Sequence, residues 1–405
     1  MVSKKDPTAW LDNAFFEKVL RQAFNDKAIT VEDFFISLNT DSSTQYASTI
    51  FRTTVSYWIK GKVESIPLIV KLTSSKVNQL ADANVFDNEL NLYKYYIGPM
   101  EDLLAQAGYS NSYFAPKLLY ASAEPQPVII LEDVTHKHFE LYKSSMNFED
   151  TKVIAEKLAR FHAASFCLLK NGLKKTSDDP FSGLFKANPS QGVKFMEENF
   201  SIFAEEIAKW EGFEKYAEKL EKLASKFLQR GIEIYNPEVD RFSVKVLNHG
   251  DFHYNNMLLK FDGERASVSD VLFIDFQLSF WGTPAVDLLY LLYLVSHKQA
   301  RDEHRQELIY YYHQKFVDAL EKMGYVGSVP TLLDLNNDLL RAGFLEVVIV
   351  VCFIPFLFAD YSTALNVYGE TNDTKAYRRQ LYSNPQYLEI LEPLLPFFLH
   401  KGFLD

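Results

Sequence analysis

Residues 246–257 read Val-Leu-Asn-His-Gly-Asp-Phe-His-Tyr-Asn-Asn-Met, and Ile-Asp-Phe-Gln follows at 274–277. An alternating apolar run (Phe242, Val244, Val246) leads into the first segment. A second run (Val271, Leu272, Phe273, Ile274) ends at Asp275, and Asp262-Gly263 between the runs is a hairpin-turn signal. The pattern predicts a loop feeding a β-hairpin over roughly 242–277, with Asp251 at its start and Asp275 at its far end. Phosphoryl transfer needs that set: one carboxylate to orient an attacking hydroxyl, then an amide (Asn256) and a second carboxylate (Asp275) to hold Mg²⁺ on the phosphates. A zinc site is the competing reading, because His249 and His253 lie four apart as ligands on one helix face would. It fails on detail: Gly250 stands where a Glu base is required and disfavours a helix, and no third ligand is spaced nearby.

At 405 residues the chain is long enough for two lobes, each with its own core. The net charge of −11 argues against general nucleic-acid binding or attraction to anionic membranes, both of which need a basic surface. Cys167 and Cys352 lie in apolar helical stretches and read as reduced core residues, which fits a cytoplasmic compartment. The charged N-terminus has no apolar stretch behind it, so no secretory leader is expected. The longest apolar run, Val347 to Ala359, is too short for a bilayer span of about 20 residues and reads as a buried helix.

Along the chain, an amphipathic helix is expected at 10–25 and strands near 32–38, 46–58 and 63–72, with Lys60-Gly61-Lys62 as a turn. A helix over about 82–97 and a buried strand at Val128–Leu131 complete a strand-rich first third. From 148 onward helices dominate: 151–169, two or more across 193–230, then 285–298, 302–323, 335–360 and 373–400 in broken pieces. The expected architecture is α+β, with a small β-rich lobe over 1–134 and a large, mostly helical lobe over 135–405.

Lys71 ends the apolar run Pro67-Leu-Ile-Val, where an ammonium either reaches water or meets a buried anion. Glu89 offers the anion, because it falls inside the apolar stripe formed by Phe86, Leu90 and Tyr93. A carboxylate facing a core is costly unless paired, so a Lys71–Glu89 pair resolves both anomalies and aims the lysine at nucleotide phosphates. Asp287, after Pro284, either favours the exposed amides of a first helical turn or braces the 249–256 loop from beneath. His162 reads as a satisfied core histidine.

Together these residues resemble the ecdysteroid-kinase-like branch of the choline kinase and aminoglycoside phosphotransferase superfamily. The matching segments include Ile69-Val-Lys71, Phe86-x-x-Glu89-x-x-x-Tyr93, Leu131-Glu-Asp133, Leu158-Ala-Arg-Phe-His162, Leu247-Asn-His-Gly-Asp251-x-x-x-Asn-Asn256, Ile274-Asp275-Phe-Gln277 and Trp281-Gly-Thr-Pro284-x-x-Asp287. The resemblance implies a bilobal protein kinase-like fold and ATP-dependent phosphorylation of a small-molecule hydroxyl. It carries the base role to Asp251, magnesium binding to Asn256 and Asp275, and phosphate contact to Lys71 with Glu89. Glu132 and Val134, in Leu131-Glu-Asp-Val134, would meet adenine through the backbone, and His249 and Asp287 would shape the catalytic loop.

Two departures refine this. Gly250 replaces the arginine that precedes the catalytic aspartate in protein kinases, and no Ala-Pro-Glu follows Asp275, which points away from a protein substrate and from phospho-switching. The phosphate-covering loop should fall at Asn39–Tyr46, where the branch usually carries glycine and this chain has none; Ser42 and Ser43 offer hydroxyl and backbone donors, but Asp41 would repel phosphates. The leading expectation is an ATP:alcohol phosphotransferase for a small lipophilic molecule such as a steroid, with no obligate protein partner, no nucleic acid and no membrane insertion. The alternatives are a choline- or ethanolamine-type kinase, which would need an aromatic cage with acids, and a non-catalytic small-molecule-binding protein on the same fold.

Overall fold

Alternating burial at Phe51, Thr53, Val55 and Tyr57 follows from a strand that shows one face to a helix. β1 (Thr30–Leu38), β2 (Ser48–Ile59) and β3 (Lys62–Thr73) form an antiparallel meander, with β2 and β3 joined at Lys60-Gly61, where both residues have positive φ (50° and 76°) as a tight hairpin requires. β4 (Leu118–Ser122) and β5 (Val128–Glu132) complete a five-stranded sheet in the order β1-β2-β3-β5-β4. α1 (Asn13–Phe24) starts where Asp12 accepts the Phe15 N–H at 2.8 Å, and it lays Phe16, Val19 and Leu20 against Val55, Leu68 and Val70 of the sheet. The computed structural model describes residues 8–38, 48–73, 85–124, 126–171, 183–236, 242–263, 266–359 and 371–405.

α2 (Val85–Leu92) runs through a π-helical turn at Tyr93–Ile97 into α3 (Gly98–Gln106). The buried side chains from Phe86 to Phe114 pack into the same core as the helices that follow, so this segment lies between the sheet and the rest of the chain. The large lobe begins with β6 (Phe139–Leu141) and α4 (Phe148–Lys170), followed by α5 (Gln191–Ile207), α6 (Glu214–Ala224) and α7 (Phe227–Tyr235). Next come β7 (Val246–Asn248), β8 (Met257–Asp262), β9 (Ser267–Phe273), β10 (Phe280–Gly282) and α8 (Ala285–Tyr290). α9 (Lys298–Lys322), α10 (Leu332–Arg341), α11 (Gly343–Cys352), α12 (Asn372–Tyr382) and α13 (Pro385–Lys401) complete the chain. The architecture is α+β, with a sheet-dominated small lobe and a mostly helical large one.

Three expectations are corrected. The hairpin is shorter than 242–277: only β8 and β9 form it, with β6 on the other edge of β8, while β7 pairs instead with β10. Residues 242–245 are not a strand, because the Ser243 and Val244 N–H groups are held by the Asp338 carboxylate (2.8 and 3.1 Å) rather than by a neighbouring strand. The apolar run 347–359 is not one helix. α11 stops at Cys352 and a 3-10 turn, Ile354–Phe358, follows, because Pro355 lacks an N–H and its ring crowds the carbonyl four residues back. β4, β6 and β10 were not anticipated; the last two are three-residue strands, too short for any periodicity to register.

Cys167 and Cys352 are free and buried, and burial pushes the Cys167 thiol up to about 11. Among the described residues no single helix is long and apolar enough to cross a membrane, although α10 and the stretch 343–358 would pass together as a pair bent by 53°.

Candidate active site

The segment that carries Asp251 leaves β7 at Asn248 and is fixed at once by a buried carboxylate. Asp287, with no exposed surface, accepts the His249 N–H at 2.6 Å on one oxygen and the Gly250 N–H at 2.9 Å on the other. It is held in turn by His162, whose Nε2 lies 3.1 Å from Asp287 Oδ2 and whose Nδ1 lies 2.7 Å from the Tyr312 hydroxyl. The Ser165 hydroxyl also accepts the Leu247 N–H at 3.0 Å. Charge-assisted bonds of this kind, sealed from water, fix backbone more firmly than neutral ones. Gly250 turns the chain at φ +82°, and a Cβ there would lie 2.0 Å from the Leu278 carbonyl oxygen. The close approach of these two loops therefore leaves room for glycine only.

The turn projects Asp251 outward, with about a quarter of its side chain exposed (27%). The Asn256 amide donates to the Asp251 carbonyl at 2.9 Å and to Oδ2 at 3.0 Å, and His253 Nε2 lies 3.4 Å from the same oxygen. Burial alone would raise the Asp251 pKa, but the charge and hydrogen bond of His253, then His249 and Asn256, hold it below the ordinary carboxylate range. His253 moves the other way: burial opposes its charge, and Asp251 outweighs that and raises it. Burial lowers the His249 pKa, and its ring bridges Ile274 O at Nε2 (3.0 Å) and the Asp251 N–H at Nδ1 (3.4 Å).

A second cluster faces this loop from the small lobe. Lys71, on β3 opposite Ile129 of β5, is 5% exposed and meets Glu89 Oε2 at 2.5 Å and Asp275 Oδ1 at 2.8 Å. Burial would strip the ammonium of its proton, but the charges of Asp275 and Glu89 outweigh it and raise the Lys71 pKa. Asp275 keeps 39% of its side chain exposed and adopts a left-handed backbone (φ 65°, ψ 61°). The two clusters are tied through the chain itself, since the Ile274 N–H donates to Asn256 O at 3.0 Å.

The structure thus brings Lys71, Glu89 and Asp275 together across the lobes, and Asp251, Asn256, His249 and Asp287 around one loop. Glu132 and Val134 lie where β5 leaves the sheet. The Glu132 and Asp133 N–H groups are taken by Lys117 O (2.9 Å) and Pro67 O (3.1 Å), whereas Val134 opens a 3-10 turn and its N–H lies outside that turn's own bonds. The Glu132 carboxylate is paired with Lys137 at 2.7 Å. Ser42 and Ser43, with Asp41 and the rest of 39–46, lie outside the described residues.

Sequence reasoning missed His253 as the partner of Asp251, Asn88 as a donor to Gln277 O (2.9 Å), and Asp338, fully buried, as the acceptor for Ser243, Val244 and Thr283. Asp338 carried a usable signal: it stands beside Leu335 and Leu339 in an apolar stripe, the same anomaly that marks Glu89. Oxygen donors suit a hard divalent cation. Asp275 offers its carboxylate, and Asn256, whose N–H groups face Asp251, has its amide oxygen turned the other way. Among the described residues no group of three His, Cys, Asp or Glu side chains is placed to hold a metal ion.

A family model described as the ecdysteroid kinase-like family matches residues 42–325, well over half of the chain. Among solved structures, the choline kinase of Cryptosporidium parvum Iowa II is similar at 12% identity, with 97% of this chain and 98% of that chain covered and a TM-score of 0.47. An ADP-bound aminoglycoside phosphotransferase is similar at 14% identity (90% and 98% covered, TM-score 0.38). The macrolide 2'-phosphotransferase of Brachybacterium faecium is similar at 12% (91% and 98%, TM-score 0.36). No curated protein matches the sequence.

Proposed function

The chain belongs to the ecdysteroid kinase-like family, and from that premise we propose that it transfers the terminal phosphoryl group of ATP to a hydroxyl of a small, largely apolar molecule such as a steroid. One observation carries the reading: residues 204 positions apart, Lys71 and Asp275, meet at 2.8 Å in front of a loop that presents an ionised Asp251. In this reading Asp251 accepts a hydrogen bond from the acceptor hydroxyl and takes its proton as the oxygen–phosphorus bond forms. Asn256 and His253 keep that carboxylate oriented and charged. Lys71, steadied by Glu89, faces the phosphates and balances charge on the departing diphosphate oxygen. Asn256 and Asp275 would hold Mg²⁺, which supplies charge neutralisation at the phosphates. The N–H of Val134, which opens the 3-10 turn, would meet the adenine edge, and Ser42 and Ser43 would cover the phosphates. Asp287, through His249 and Gly250, holds the loop in shape.

Catalysis follows from positioning and electrostatics, which is what phosphoryl transfer asks of a protein. The absence of an arginine before Asp251 supports a small-molecule acceptor rather than a phospho-switched protein kinase. The apolar acceptor rests on family membership and on a large lobe rich in aromatic side chains, against which a steroid would gain roughly 25 cal/mol per Å² of apolar surface buried. A nucleotide-consumption screen across ecdysteroids, other sterols, choline and xenobiotic alcohols tests the proposal. Turnover of a lipophilic alcohol supports it, efficient phosphorylation of choline alone refutes the acceptor class, and no MgATP binding by the folded protein refutes the activity.

A further inference from the structure

Two buried polar side chains stand next to each other on α2, Asn88 and Glu89, exposed by 4% and 1%. Glu89 is accounted for by Lys71. Asn88 is not, since its position in the sequence offers it no charged partner, yet its Nδ2 donates to the backbone carbonyl of Gln277 at 2.9 Å. Gln277 lies in the 3-10 turn Phe276–Leu278, which begins directly after Asp275.

The residue that caps that turn, Asp275, has the least comfortable backbone of the site. A left-handed conformation is unfavourable for a residue with a Cβ, and Asp275 adopts it at φ 65°. Such a conformation persists only where its surroundings over-determine it. On the upstream side the large lobe does this: Ile274 N–H donates to Asn256 O, and His249 Nε2 donates to Ile274 O, both at 3.0 Å. On the downstream side, Asn88 holds the Gln277 carbonyl, and the Tyr93 ring meets the Phe276 ring edge-on at 5.6 Å between centroids. Both of these downstream contacts come from the helical segment 85–97 that bridges the lobes.

We infer that Asn88 is a positioning residue for the Asp275 carboxylate. Its amide pins the Gln277 carbonyl, the pinned turn keeps Asp275 left-handed, and the carboxylate is thereby held against Lys71 and toward the phosphates. The catalytic consequence rests on the phosphotransferase reading above; the backbone clamp does not. The segment that supplies Glu89 to the lysine thus also sets the far carboxylate, so one helix registers both sides of the phosphate site.

Asn88→Asp keeps the shape and, ionised, removes the donor; Asn88→Leu keeps the branching at Cγ, adds some bulk and removes the donor without adding charge. Amide hydrogen exchange of the peptide spanning 274–280, measured without nucleotide, is expected to speed up about tenfold or more in both variants with little change in melting temperature. In steady state the Mg²⁺ concentration for half-maximal rate is expected to rise about tenfold while the KM for the acceptor alcohol stays put, a split that general loosening would not produce. Unchanged exchange across 274–280 in either folded variant overturns the clamp. So does a uniform rise in exchange across the whole large lobe, because Asn88 would then be a packing residue. A wild-type protein that binds no nucleotide would overturn the proposed function instead, and the exchange comparison would still decide the clamp.

Discussion

Gly250→Ala is the most demanding test of how the loop carrying Asp251 is held. A Cβ at this position would sit 2.0 Å from the Leu278 carbonyl oxygen and 2.7 Å from its carbon. Nonbonded atoms rest near ~3.5 Å, so the two loops must part by about 1.5 Å. The left-handed φ of +82° adds roughly 1 kcal/mol that glycine does not bear. The loop cannot yield on its other side, because the His249 and Gly250 N–H groups are bonded to Asp287, which is itself backed by His162 and Tyr312. The displacement must therefore fall on Asp251 or on the 276–279 turn beside Asp275. A misplacement of about 1 Å costs a reaction of this kind on the order of a hundredfold. The expected result is a kcat lower by about two orders of magnitude on the best alcohol from the screen. Melting temperature should drop by a few degrees, in keeping with a loss of about 1–3 kcal/mol. A variant that folds, melts with wild type and turns over within a factor of a few would refute the argument that these loops are rigidly apposed.

Asp251→Asn should leave the melting temperature nearly unchanged and slow transfer by about a hundredfold or more, since the amide cannot take the acceptor's proton; turnover within a few-fold of wild type would remove Asp251 from the base role. His253→Asn removes the largest influence that lowers the Asp251 pKa and leaves burial to raise it, so the acid limb of kcat/KM against pH should move to higher pH; a limb that stays in place would mean that His253 does not set the charge of the base. Lys71→Met and Glu89→Gln should each cut kcat, and the double variant should lose less than the two effects combined, because the residues form one pair at 2.5 Å; simple additivity in a double-mutant cycle would show that the pair does not act as a unit.

Much of this site could be read from spacing alone, and the reason is local. Asp251 and Asn256 lie on one short loop, so their distance in sequence bounds their distance in space. Lys71 and Glu89 were legible for a different reason: each broke an apolar pattern, and two such anomalies invite each other. The supports were harder. His253 sits two residues from Asp251, but nothing in a His-Tyr-Asn run says which way its ring turns. Asn88 is neutral and breaks no charge rule, so its bond to Gln277, 189 residues away, leaves no trace in the local pattern. The short strands β7 and β10 exist only because the chain closes on itself around 246–282, and a three-residue strand has no period to detect. The apparent strand at 242–245 failed because Asp338, far along the chain, takes the backbone donors that a neighbouring strand would have taken.

The line from Tyr312 through His162 to Asp287 and on to the backbone of His249 and Gly250 crosses α9, α4 and α8 before it reaches the loop. The loop is thus fastened to the scaffold at its root, by side chains that never meet solvent. Helices α5, α6 and α7 stand outside that line of fastening. Tyr235, at the end of α7, reaches the root only indirectly, stacking at 4.6 Å on Phe280 of the strand that pairs with β7. The Asp287 bonds to His249 and Gly250 draw no member from these three helices, so loop geometry and the surface they present are set by separate residues.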